Sequence, residues 1–65
     1  MTMEEERKLR HRIALLLSTK PSYVCIEKTE QQTDNKRRVY ANVNGYKYGV
    51  LMDGDRIEQM WRVTA

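Results

Sequence analysis

Sixty-five residues, 40% of them hydrophobic and 32% charged, are enough for one globular domain. At that length a single core is barely sufficient, so a second copy or a partner would add useful stability. No apolar run approaches a membrane span or the central segment of a secretion signal, which points to a soluble, cytoplasmic protein.

Cys25 is the only cysteine and His11 the only histidine. This excludes an intramolecular disulfide, suits a reducing compartment, and leaves too few ligands for a zinc site. The net charge of +3 is modest but unevenly spread: from Lys36 onward the chain has six Lys or Arg against three Asp or Glu.

In chain order, Thr2 and Glu5 stand at capping-box spacing, where the Thr hydroxyl and the Glu carboxylate satisfy amides left unpaired at a helix start. Glu4, Glu5 and Glu6 complement the positive end of the helix dipole. A helix over about 3–18 follows, with Leu9, Ile13, Leu16 and Leu17 as its apolar stripe and Pro21 as its stop. Leu15 is off that stripe, and would cover a sheet edge or meet a partner. Arg7, Lys8, Arg10, His11 and Arg12 form a basic run, but Glu4 with Lys8 and Glu6 with Arg10 stand at i,i+4 and offset part of it. The run reads as a solvated helix back.

Residues 22–33 begin with Val24 and Ile26 alternating with Tyr23 and Cys25, the pattern of a first strand closed by a short loop at Asp34-Asn35. With an even loop, Ile26 faces Val43 and joins the core face, while Cys25, Glu27 and Thr29 point the other way. Beyond Lys36 two stronger turn signals appear. Asn44-Gly45 and Asp53-Gly54 both favour two-residue type I′ turns, in which each central residue has φ > 0. These turns pair Val43 with Tyr46 and Val39 with Val50 across the first hairpin, and Val50 with Ile57 and Tyr46 with Trp61 across the second.

Alternation then divides the side chains between two faces. Val39, Ala41, Val43, Tyr46, Tyr48, Val50, Met52, Ile57, Trp61 and Val63 form a core face. Lys36, Arg38, Tyr40, Asn42, Lys47, Leu51, Arg56, Glu58, Met60 and Arg62 form a basic one. The expected fold is α+β, with the N-terminal helix on one face of a four-stranded antiparallel β-meander, because the helix stripe is the only cover available for the apolar face. The alternative is a small bent Sm- or SH3-like barrel capped by the helix.

The patterns of catalytic chemistry are missing from the sequence. Asp53 and Asp55 around Gly54 are turn chemistry, with too few oxygen ligands nearby for calcium. Glu27-Lys28 has no acidic partner on a matching strand to make a nuclease signature. The chain contains no Gly-rich phosphate loop and no nucleophile motif. Instead of a Cys25–His11 dyad, Cys25 reads as a small buried residue of an apolar strand and His11 as a surface histidine. The expectation is a non-enzymatic binding module without cofactor or metal.

Two targets fit the basic face. For nucleic acid, Lys36, Arg38, Lys47, Arg56 and Arg62 would contact phosphates, Tyr40 would stack on a base, and Asn42 would reach a base edge. For a protein-interaction or inhibitory module, of the kind made by small accessory or phage-like genes, Tyr23, Cys25, Tyr40, Leu51 and Met60 would form an apolar patch in a cationic rim, with a homodimer as one form. Charge asymmetry favours nucleic acid.

Overall fold

The computed structural model describes residues 2–63, in the order α1 (Met3–Leu16), a 3₁₀ turn (Pro21–Tyr23), β1 (Val24–Gln31), β2 (Lys36–Val43), β3 (Tyr46–Asp53) and β4 (Arg56–Val63). The four strands form one antiparallel sheet in the order β1-β2-β3-β4, an open meander with β1 and β4 as its two edges. A barrel is not formed.

Thr2 caps α1, its hydroxyl accepting the Glu5 N–H at 3.1 Å. The helix ends earlier than the proline requires, because Ser18 adopts φ 54°. Its N–H then donates to the Leu15 carbonyl at 3.3 Å and that of Thr19 to the Ala14 carbonyl at 2.8 Å. This is a Schellman closure with serine in the usual glycine position. Glu4 and Lys8 approach to 3.8 Å, whereas Glu6 and Arg10 form no ion pair. Glu5 instead reaches Arg37 on β2 at 3.4 Å, tying helix to sheet.

Leu9, Ile13 and Ala14 of the helix are buried against Val24, Val39, Ala41, Val43, Val50 and Met52 of the sheet, with Leu17, Ile26, Tyr48, Ile57 and Met60 at the margin. The stripe is therefore rotated from the expected one. Ala14 belongs to it, while Leu16 is 57% exposed. A small residue there lets the helix approach the strands, and Leu16 is turned towards β4 instead.

The Asn44-Gly45 hairpin follows its turn chemistry. Asn44 has φ 54° and Gly45 φ 87°, and Val43 pairs with Tyr46, Ala41 with Tyr48, Val39 with Val50 and Arg37 with Met52. The second hairpin departs from expectation. Its two turn residues are Gly54 and Asp55, with Asp53 paired to Arg56 and only Gly54 at positive φ, 63°. Glycine at the first central position is the type II′ preference. The Gly54 N–H donates to the Asn35 carbonyl at 2.7 Å, so this turn is also held by the neighbouring β1–β2 loop.

Both edge strands contain an irregularity. In β1 the register shifts between Ile26 and Lys28, so Ile26 faces Ala41 rather than Val43, Glu27 is left over, and Thr29 comes opposite Val39 on the helix side. Cys25 remains on the other side, opposite Asn42, and is exposed there rather than buried, because the helix does not cover that face. In β4 the register shifts after Ile57: Met52 pairs with Ile57, but Leu51 pairs with Gln59 and Val50 with Met60. One extra residue in a strand exchanges the faces of all that follow. Met60 and Arg62 thus join the helix side, and Trp61 and Val63 leave it.

Ile13 is fully buried and Leu16 is not, which separates two otherwise similar truncations. Ile13→Ala should lower the unfolding free energy by about 2–5 kcal/mol. Leu16→Ala should cost well under half of that, as read by chemical denaturation followed by circular dichroism.

Candidate nucleic-acid interface

The helix covers one side of the sheet and leaves the other open. Across that open side, side chains fall into rows perpendicular to the strands. One row runs Lys28, Tyr40, Gly49, Trp61, and it is bordered by the row Glu30, Arg38, Leu51, Gln59 and by the row Cys25, Asn42, Lys47, Val63.

Trp61 dominates the middle row. A Cβ placed on Gly49 would collide with the indole at Cε2, Cζ2 and Nε1, so the ring lies across the bare glycine backbone. Glycine at this position is a site for the ring, and the ring in turn buries the glycine. The guanidinium carbon of Arg38 stands over the indole, 5.8 Å from its centroid, in a cation–π contact. Trp61 remains 36% exposed. The Nε of Arg38 is enclosed and finds no hydrogen-bond partner within the described residues.

The cations of this face are not equally available. Lys36 pairs with Glu58 at 3.1 Å, Lys28 with Glu30 at 3.1 Å, and Arg56 sits 3.9 Å from Asp53. Arg38 and Lys47 have no carboxylate partner among the described residues. They stand in the two rows that flank Trp61 and Tyr40. The paired lysines and arginine are partly exposed, so their ion pairs are worth at most about 1 kcal/mol and can be exchanged for a phosphate.

Of the residues expected on this face, Lys36, Arg38, Tyr40, Asn42, Lys47, Leu51 and Arg56 are on it. Met60 and Arg62 are not. Met60 packs at the margin of the core, and Arg62 stacks over Tyr46 at 4.5 Å on the helix side. Their displacement has one cause, the extra residue in β4. Asn42 also has a structural task, since its Oδ1 accepts the Gly45 N–H at 3.0 Å and braces the turn. The expected apolar patch of Tyr23, Cys25, Tyr40, Leu51 and Met60 is dispersed, with Met60 on the far side and Tyr23 in the 3₁₀ turn. Trp61 is the residue that sequence reasoning missed. Gly49, a glycine inside a strand with no turn to make, was its available signal.

Two depressions lie elsewhere. A cleft of about 680 Å³ at the loop end of the sheet is lined by Lys8, Arg12 and Arg37 and equally by Glu5, Asp34 and Asp55. Its charges are used internally: Arg37 meets Glu5, and Arg12 donates to the Asp55 carbonyl. A second groove, of about 440 Å³, runs between Arg12, Leu15 and Leu16 of the helix and residues 57–60 of β4. Among the described residues no group of three or more His, Cys, Asp or Glu is placed to hold a metal ion, and no helix is long and apolar enough to cross a membrane.

Comparison with known proteins finds no matching family model, no similar curated protein and no similar solved structure.

The Trp61–Gly49 contact is directly testable. In an ordinary strand position Gly→Ala stabilises slightly by restricting the unfolded chain. Gly49→Ala should do the opposite, destabilising by about 1–3 kcal/mol as an overpacking change. It should also shift the emission of Trp61, the only tryptophan, to longer wavelength as the indole is lifted into water.

Proposed function

We propose that this protein is a non-enzymatic module that binds nucleic acid through the open face of its sheet. The observation that carries the reading is a partly exposed indole set in a row with Tyr40, bordered by Arg38 and Lys47, neither of which forms an ion pair among the described residues. Aromatic faces supply contact area to bases, and the cations supply contacts to the backbone. Lys36, Lys28 and Arg56 add positive charge at the periphery, partly offset by Glu58, Glu30 and Asp53. A cytoplasmic location fits this reading.

The test is salt dependence. Each phosphate contact contributes to the slope of log affinity against log salt, at about 0.7 for a single strand and 0.9 for a duplex. Arg38→Gln combined with Lys47→Gln should flatten the slope by about two contacts. Arg62→Gln is the internal control, since Arg62 lies on the helix side and should leave the slope unchanged. Absence of salt-sensitive binding to any single- or double-stranded DNA or RNA would remove the proposal.

A second reading, a protein-interaction or inhibitory module, is favoured by the groove beside β4. Leu15 is 81% exposed and Leu16 57%, facing Ile57 and Met60 across it. Self-association of the chain along this side would bury that surface. Leu16→Glu should then convert a dimer into a folded monomer in sedimentation equilibrium, because a carboxylate at the centre of the contact would have to be desolvated. A wild-type chain that stays monomeric at high micromolar concentration would exclude it.

A further inference from the structure

We infer that the open face is a stacking site for single-stranded nucleic acid, with one base on Trp61 and a neighbouring base on Tyr40. The inference rests on the nucleic-acid reading above and names the class of ligand within it.

Two observations lead to it. The first is geometric. Tyr40 and Trp61 belong to strands two apart, on one cross-strand row with Gly49 between them. Adjacent strands are spaced about 4.8 Å, so the two Cα atoms are about 10 Å apart. The indole does not stand upright on β4 but lies over β3, in the space a side chain at residue 49 would fill. That tilt carries the ring over β3, between its own strand and that of Tyr40, and leaves it 36% exposed. Bases inside a duplex are stacked on each other and offer no free face to such rings. A single strand with unstacked bases does.

The second observation concerns charge. Proteins that hold duplexes by their phosphates make about 6–10 such contacts, and lose most of their affinity over a modest rise in salt. Among the described residues this face has Arg38 and Lys47 outside any ion pair, with Lys36, Arg56 and Lys28 already engaged. Two free cations give a single-strand slope of only about −1.4. Electrostatics at that level cannot carry tight binding alone. Stacking, at about tenfold to a hundredfold in affinity per base, can supply the remainder. Arg38 serves both contributions, since its guanidinium braces the indole while its charge stays available to a phosphate.

The experiment uses the full chain with a labelled short oligothymidine, its RNA counterpart oligouridine, and a labelled duplex of the same length. Binding is followed by anisotropy and by the emission of Trp61. The expected result is quenching of Trp61 on binding a single strand, at least tenfold preference over duplex, and a salt slope between −1 and −2. Tyr40→Ala and Trp61→Leu should each weaken single-strand binding about tenfold or more without changing that slope, because stacking releases no ions. Trp61→Leu keeps an apolar cover on Gly49, and Trp61→Phe should restore most of the binding, which separates loss of stacking from loss of fold. Gly49→Ala, at a position that meets no base, should weaken binding by displacing the indole.

Salt-sensitive binding without quenching, with duplex bound as well as single strand, would overturn the stacking inference and leave the nucleic-acid reading intact. No binding to any of the probes would overturn both. Quenching by either single strand supports the inference, whichever of the two is bound more tightly.

Discussion

Side chains alternate across a β-strand, so one extra residue in β4 decides which face of the sheet Trp61 belongs to. Without the shift after Ile57, the indole would compete with Leu9, Ile13 and Met52 for space under the helix. With it, the largest side chain of the protein lies on the side the helix leaves open, and the flexible Met60 takes the place at the core margin. The open face depends on that exchange. So does the division of labour between the arginines: Arg38 beside Trp61 and Arg62 over Tyr46, on opposite sides of one sheet.

The fold that carries this face is economical. A short helix with a three-residue buried stripe covers the centre of the sheet, where Val39, Ala41 and Val50 are completely enclosed. Among the described residues no polar or charged side chain is buried, so the core they form stands on apolar packing. Polar ties are at the edges, in the Glu5–Arg37 pair, the Arg12 contact to the Asp55 carbonyl, and the Gly54 bond to Asn35. The first two join the helix to β2 and to the β3–β4 turn, and the third joins that turn to the β1–β2 loop, all at one end of the sheet. At the other, the Asn44-Gly45 turn is braced only by Asn42 and the backbone.

Among the described residues the open face sets Lys28, Lys36, Arg38, Lys47 and Arg56 against Glu30, Asp53 and Glu58, arranged unevenly. Among the described residues its ion pairs engage Lys28, Lys36 and Arg56, and the two cations outside any pair, Arg38 and Lys47, flank the aromatic row. A face built only for solubility would expose mixed charge and would not need a glycine to accommodate an indole. Gly49 costs strand propensity, which the packing of Trp61 and Arg38 over it offsets.

The amino-acid sequence by itself determined the elements, the meander and the first hairpin. The Thr2 cap, the Asn44-Gly45 turn and period-2 alternation are local, and local rules act through a few neighbouring residues whose conformational preferences are strong. It also determined that Lys36, Arg38, Tyr40, Asn42, Lys47 and Leu51 share a face, because a tight type I′ turn sets the register of both its strands. Only the tertiary structure decided the rest. The helix stripe turned to Ala14 instead of Leu16 because helix–sheet contact rewards close approach, which a hydropathy pattern does not encode. The second turn moved to Gly54-Asp55, where Gly54 also bonds to Asn35 in a loop many residues away. The register shift in β4 then exchanged Met60 and Arg62 for Trp61 and Val63, since the choice of which residue to leave unpaired depends on what each face can accommodate. That is settled by Gly49, a position on another strand where the absence of a side chain makes room for a ring.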